Sequence, residues 1–385
     1  MAHIKKRGKK SWQISIDLGR DKETGKRIRI TETVRGKKQD AELRLSEIYQ
    51  ELKLCNFNYK KPEKVTLEEN LLRFLDMVKN QVRTRTWERY EDICKKHLIP
   101  ALGEKYLTEI TAHMIQDYYS QALTDGRLDG KSGGLSPTTI RQHHVVLKSA
   151  LHYAVENLRL ITHNPAASVK PPKKHKKEIN CLSVLELQVL LNFIKENEKN
   201  LYMPVYLTSY TGARLSEVLP IRWQDIDMEN LTLTISRSLQ QSKEGLHFDD
   251  VKTSSSKRQI ALTEENVKTL KKHQEEQILR KTENYADQDL ICAKADGSPL
   301  RPFSVSSRFR TIAEVLNFPI SFHCLRHSHA TILIKSGIPI KFISARLGHS
   351  STSFTQDVYG HRTLTDDHNV AEKFNSMLNP EHPEE

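Results

Sequence analysis

Residues 323–359 read HCLRHSHATILIKSGIPIKFISARLGHSSTSFTQDVY, a stretch that combines anion-binding side chains with one tyrosine at its end. His323 and Arg326 stand three residues apart at a predicted helix start, so their side chains lie on one face and can bind the same anion. The planar guanidinium of arginine donates to two phosphate oxygens at once. The stretch therefore predicts a phosphate site, with the phenol of Tyr359 ten residues beyond His349.

The same stretch predicts two helices joined by a sharp turn. The first should end at Gly337, because glycine readily adopts the left-handed conformation past a helix end. Pro339 begins the second helix, which should end at Gly348 and leave His349 in a turn. The apolar stripe of the second helix comprises Ile340, Ile343 and Leu347. Two such helices are also typical of a helix-turn-helix, and a lone tyrosine on a helix is usually a packing residue, so a DNA-binding regulator stays an alternative.

A second segment, TSYTGARLSEVLPIRWQDID at residues 208–227, completes a pattern with this stretch. Together they resemble the tyrosine recombinase family, the integrases of phages and conjugative elements. The first family motif, Thr-Gly-x-Arg-x-x-Glu, falls on Thr211, Gly212, Arg214 and Glu217. The second, His-x-x-Arg-His, falls on His323, Arg326 and His327, and is followed by Leu347, Gly348, His349 and the tyrosine at position 359.

The resemblance implies an enzyme that cleaves and rejoins DNA through a covalent 3′-phosphotyrosine, with Tyr359 as the nucleophile. Attack on a phosphodiester needs cations on the non-bridging oxygens, and Arg214 and Arg326 are the candidates. The phosphotyrosyl bond conserves the energy of the cleaved ester, so no metal or nucleotide cofactor is expected. A type IB topoisomerase uses similar chemistry and is a second alternative.

Four further residues receive roles from the resemblance. His323 can act as the base that takes the phenolic proton, and His349 can donate to the phosphate, while Glu217 holds the site together. The family carries a catalytic lysine on a strand turn, which would protonate the departing 5′ oxygen. Lys252, followed by Thr253, fits that position better than Lys257.

Composition favours a nucleic-acid partner ahead of a membrane surface. The 385 residues carry a formal charge of +12, and residues 1–60 hold 16 Lys and Arg against 8 Asp and Glu, although a solvated basic surface would have the same composition. The five cysteines include no Cys-x-x-Cys pair, so neither a disulfide framework nor a zinc site is predicted. Cys324 follows His323 where a zinc protease needs glutamate. No apolar run has the length of a membrane span, and we expect a cytoplasmic protein.

Residues 1–60 predict a small α+β domain. One strand alternates from Ser11 to Leu18, and a second sets Arg27 and Arg29 on the face opposite its isoleucines. A following helix can cover the apolar face through Ala41, Leu45, Ile48 and Leu52. The resemblance implies an arm-site DNA-binding domain, with a three-stranded sheet plus a helix, in which Arg27 and Arg29 contact DNA.

Residues 66–168 predict an all-α domain of four helices, at 66–80, 86–97, 111–123 and 137–157. The glycine-rich segment at 126–134 lacks the spacing of a nucleotide-binding loop and is predicted to be a surface loop. By resemblance this is the core-binding domain. Arg83 and Arg85 are candidate DNA contacts there, or ordinary solvated charges.

A stiff basic linker is predicted at residues 169–180, where Lys173 and Lys174 can lie along the phosphate backbone. Residues 181–385 then form the catalytic domain, mainly α with a small antiparallel sheet. A tail helix is predicted at 365–378, which docks either on its own domain or on a neighbouring protomer. The implied partners are double-stranded DNA with core and arm attachment sites, a homotetramer on synapsed DNA, and an excisionase or DNA-bending accessory protein.

Overall fold

The chain forms two units, residues 1–176 and 177–385. The structure is a computed structural model that describes residues 2–8, 10–20, 27–54, 64–174, 180–250, 257–281, 283 and 285–348. Within these segments, no helix combines the length and the apolar character needed to cross a membrane.

The N-terminal part is a three-stranded antiparallel sheet covered by one helix, as predicted. The elements are β1 (Ala2–Gly8), β2 (Ser11–Arg20), β3 (Arg27–Arg35) and α1 (Lys38–Leu54), with sheet order β1-β2-β3. Ile16 pairs with Ile30 across the sheet, and both are buried against Ala41 and Ile48 of α1. β1 was not evident from alternation alone, because Ala2 and Ile4 are its only apolar residues.

The helical part of the first unit contains the four predicted helices, one of them extended. They are α2 (Leu67–Val78), α3 (Thr84–Ile93) continuing through a π turn (Cys94–Leu98) into α4 (Ile99–Leu102), α5 (Ala112–Asp125) and α6 (Pro137–Glu156). The prediction ended the second helix at His97, three residues before Pro100. The wider π turn, in which the amide of Ile99 donates to the carbonyl of Cys94, lets the helix continue past that proline.

Two tyrosine–histidine pairs join α5 to α6 in the core of this helical part. Tyr118 Oη lies 2.7 Å from His143 Nδ1, and Tyr119 Oη lies 2.9 Å from His144 Nδ1. Burial, and then the nearby His97, lowers the pKa of His143 to about 4. The ring of His143 is therefore neutral at pH 7, and its Nδ1 can accept a hydrogen bond from the hydroxyl group of Tyr118.

The second unit is mainly helical with two small antiparallel sheets. Its helices are α7 (Val184–Asn197), α8 (Lys199–Thr211), α9 (Leu215–Val218), α10 (Glu264–Leu279), α11 (Pro302–Val315), α12 (Phe322–Lys335) and α13 (Ile340–Leu347). One sheet has order β4-β5-β8, from β4 (Ile226–Asp227), β5 (Thr232–Ile235) and β8 (Arg258–Ala261). The other is a hairpin of β6 (Arg237–Ser242) and β7 (Gly245–Asp250).

The helix ends of this unit follow the sequence signals. α12 is followed by Gly337 at φ 77°, and α13 by Gly348 at φ 70°, both in the left-handed conformation that glycine favours. The apolar residues of α7 do not all face the core. Leu190 and Ile194 are buried, but Leu185 is 74% exposed.

Candidate functional site

The turn after α8 is built around Gly212. Its φ is 68°, and a Cβ there would lie 2.5 Å from Leu347 Cδ2 and 2.7 Å from His329 Cδ2. Only glycine combines this conformation with so close an approach. The end of α8 therefore packs directly on α12 and on the end of α13.

Arg214 follows this turn and begins α9. Its main-chain amide donates to Glu217 Oε2 at 3.1 Å, and its Nη1 donates to Glu217 Oε1 at 2.6 Å. The arginine side chain keeps 36% of its surface exposed, whereas that of Glu217 keeps 5%. Glu217 thus holds one end of the guanidinium, and the rest of Arg214 is accessible to a ligand.

Arg326 reaches the same turn from α12. Its Nη1 donates to the carbonyl oxygen of Gly212 at 2.8 Å, and its Nη2 donates to that of Leu347 at 2.9 Å. The residue is 2% exposed. Arg326 and Gly212 are 114 positions apart in sequence, so folding brings the two family motifs onto one turn.

His323 lies within the field of both arginines. Burial, and then the charges of Arg326 and Arg214, lowers the pKa of His323. Its ring packs edge-on against that of His327, with centroids 4.7 Å apart, and similar causes lower the pKa of His327 to about 4. His323 is therefore neutral near pH 7, the form that can accept a proton.

Glu217 binds a second arginine, Arg258, for which the sequence analysis predicted no role. Arg258 Nη2 donates to Glu217 Oε2 at 3.0 Å, and the two side chains are 7% and 5% exposed. Burial raises the pKa of Glu217, but the charges of Arg258 and Arg214 outweigh that effect and hold the pKa below its ordinary value. The strand pattern contained a signal for Arg258, because it shares the inward face of β8 with Ile260.

Arg346, near the end of α13, adds a fourth cation to this region. Its Nη2 donates to the carbonyl oxygen of Tyr210 at 2.9 Å, and its Nε to His329 Nε2 at 3.3 Å. Four arginines thus lie in this region, and two of them, Arg214 and Arg258, bind the one carboxylate, Glu217. Such an excess of fixed positive charge attracts and stabilises an anion.

Three predicted catalytic residues, Lys252, His349 and Tyr359, lie outside the described residues, as does the predicted tail helix at 365–378. Lys257, the alternative general acid, is exposed directly before β8. In the described segments, no cluster of His, Cys, Asp and Glu could hold a metal ion.

The candidate DNA-binding residues are exposed, and they lie in three separate parts of the chain. Arg27 and Arg29 lie on the sheet face away from α1, and Asp17 lies 2.8 Å and 3.9 Å from their guanidinium groups. Such exposed ion pairs contribute little to the stability of the fold. Arg83 and Arg85 lie at the start of α3, and Lys173 and Lys174 follow the helical part.

Comparison with known proteins identifies the family. Residues 180–365 match the model of the phage integrase family, and residues 66–123 match that of the phage integrase N-terminal SAM-like domain. A XerC-like tyrosine recombinase of Caldanaerobacter subterraneus is 26% identical, over 97% of this chain and 98% of its own length. The chain belongs to the tyrosine recombinase family.

This tyrosine recombinase is a site-specific DNA recombinase. Several proteins to which it is similar are named integrases of a phage or a transposon. The ICEBs1 integrase of Bacillus subtilis is 24% identical over 97% of this chain and all of its own length. The Tn1549 transposon integrase, solved with transposon right end DNA, shares the fold with a TM-score of 0.68 at 19% identity, covering 80% of this chain and 99% of its own. A lambda integrase solved on a core site has a TM-score of 0.59 at 21% identity, covering 94% and 96%.

Proposed function

We propose that this recombinase integrates and excises a mobile element, cleaving and rejoining DNA through a covalent 3′-phosphotyrosine at Tyr359. The single observation that carries the proposal is the meeting of Arg214 and Arg326 at one turn. The names of the relatives favour a mobile element, since they include integrases of a Staphylococcus phage and of a Bacillus subtilis element.

The chemistry follows from the needs of a phosphodiester. Arg214 and Arg326 bind the non-bridging oxygens and hold them more strongly as negative charge develops in the transition state. Tyr359 has an ordinary pKa of about 10, so it passes its proton to the neutral His323 as it attacks phosphorus. The P–O bond to the 5′ oxygen breaks, and Lys252 supplies the proton to that leaving group. His349 donates to the phosphate.

The remaining parts of the chain bind double-stranded DNA and assemble the complex. Residues 1–60 bind arm sites through Arg27 and Arg29, and residues 66–168 bind the core site through Arg83 and Arg85. The linker at 169–180 lies along the backbone through Lys173 and Lys174. The active form is a homotetramer on synapsed DNA, in line with the lambda integrase tetramer solved on a Holliday junction. An excisionase or DNA-bending protein assists.

Alanine variants of the two arginines test the proposal. The probe is a nicked duplex that carries one junction between the element and its host. Arg214→Ala and Arg326→Ala should each slow single-turnover cleavage by about 10² to 10³, as expected for loss of one preorganised donor. Arg280→Ala is the control, since that residue pairs with Glu276 within its own helix. Near-normal cleavage by either variant would contradict the phosphate-binding assignment.

A further inference from the structure

The Arg258 guanidinium lies where three parts of the site converge. Its Nη2 donates to Glu217 Oε2 at 3.0 Å, and its Nε donates to the carbonyl oxygen of Arg346 at 2.7 Å. A Cβ on Gly348 would lie 2.8 Å from Arg258 Nη1, so the guanidinium also packs against the turn that ends α13. Because Arg258 is the first residue of β8, one side chain links that strand to α9 and to α13.

Burial separates the task of Arg258 from that of Arg214. Of the two arginines bound to Glu217, Arg214 is the more open to a ligand, since its side chain is 36% exposed and that of Arg258 is 7% exposed. The link between them is Glu217. Its Oε1 accepts from Arg214 Nη1, and its Oε2 accepts from both the Arg214 amide and Arg258.

We propose that Arg258 is a positioning residue for strand cleavage. It fixes Glu217, and through Glu217 the guanidinium of Arg214, relative to the end of α13 that precedes His349. This inference rests on the proposed function. A lysine cannot replace Arg258, because one ammonium group lacks the two parallel N–H donors that span Glu217 and the carbonyl of Arg346.

Two substitutions of Arg258 test the inference in the full-length chain. On the nicked junction duplex, Arg258→Met should slow single-turnover cleavage by about 10², the usual consequence of misplacing a reacting group by about 1 Å. The dissociation constant for the duplex should not change. Arg258→Lys keeps the charge but should still slow cleavage by about tenfold, because lysine lacks the two parallel N–H donors of arginine. Arg222→Met is the matched control: it removes a partly buried arginine paired with Asp225 in the same unit, and cleavage should not change.

A double-mutant cycle decides whether Arg258 acts through Glu217. If it does, Arg258→Met combined with Glu217→Gln should be no slower than the slower single variant, since both changes break the same connection. Losses that multiply in the double variant would overturn the inference.

The pH profile gives a readout that loss of packing alone would not move. The groups that interact electrostatically with Glu217 are the charged Arg214 at the start of α9, the charged Arg258 from β8, and the titratable His323 from α12. Burial raises the pKa of Glu217, and Arg258 is the strongest opposing charge. Arg258→Met should therefore move the part of the acid-side loss that Glu217 controls to higher pH, apart from the part set by His323 as base, and the Glu217→Gln background should abolish that movement. An unmoved profile would contradict the inference.

Each failure has a separate signature. If the wild-type chain forms no adduct with the duplex, both the proposed function and the role of Arg258 are wrong. If the wild type cleaves and both Arg258 variants cleave as fast as the wild type, only the role of Arg258 is wrong. If Arg258→Met does not fold, as judged by its melting temperature, Arg258→Lys decides.

Discussion

Two lysines near the start of β8 compete for the role of general acid. A substrate with a 5′-bridging sulfur has a leaving group that departs without a proton, so it bypasses the acid. Such a substrate should restore most of the cleavage lost in Lys252→Ala and little of that lost in Arg214→Ala, as measured by single-turnover rates. Restoration of Lys257→Ala instead would transfer the role to Lys257.

Gly212 and Gly337 form a matched pair for testing the packing of the site. Both follow a helix at positive φ, 68° and 77°, but a Cβ at Gly337 would meet nothing within 4 Å. Gly337→Ala should cost about 1–2 kcal/mol for its backbone conformation alone. Gly212→Ala should cost about 1–3 kcal/mol more, because the methyl group overlaps Leu347 and His329. Chemical denaturation of both variants measures the difference, and equal losses would contradict the close packing.

At the residue scale, sequence spacing was sufficient for some site residues and insufficient for others. Arg214 and Arg326 stand in short motifs, so the sequence singled them out. No role was predicted for Arg258, because its partners, Glu217 and Arg346, are 41 and 88 positions away, and no local pattern records such contacts. The available signals were its position six residues after Lys252 and its place on the inward face of β8.

At the scale of elements, the burial of His143 between α5 and α6 should make stability depend on pH. The folded pKa of His143 is about 4, against about 6.5 when unfolded, so its neutral form is favoured in the fold. That stability is complete above pH 6.5 and declines as the pH falls toward 4, by roughly 3 kcal/mol in total. His143→Asn keeps an acceptor for Tyr118 but cannot titrate. Urea midpoints from pH 7 to 4 should fall less steeply for this variant, and an unchanged slope would contradict the burial of a neutral His143.

Helix ends were more predictable than helix faces. Helix-ending residues act locally, so Gly337 and Gly348 marked their boundaries correctly. The apolar residues of α7 do not show which side of the helix is buried, because Leu185 is exposed while Leu190 is not. The π turn near Cys94 was unpredictable, since its sequence is that of an ordinary helix.

At the scale of the whole molecule, removing residues 1–60 should separate cleavage from integration. Every proposed catalytic residue lies beyond position 210, so the truncated chain should cleave the core site normally. Integration should fail, because two linked DNA-binding domains raise each other's local concentration and bridge distant sites. If the truncated chain integrated as fast as the full-length chain in a two-plasmid assay, the N-terminal sheet would not be needed for integration, and its proposed role in arm binding would be wrong.

The central claim is that Tyr359 becomes covalently attached to DNA. The direct measurement is a denaturing gel of the recombinase incubated with labelled nicked junction duplex, followed by peptide mapping of the adduct. We predict that the wild-type chain carries label on Tyr359 after denaturation, and that Tyr359→Phe binds the duplex equally well but forms no adduct. An adduct that survives in Tyr359→Phe, or that maps to another residue, would contradict the account.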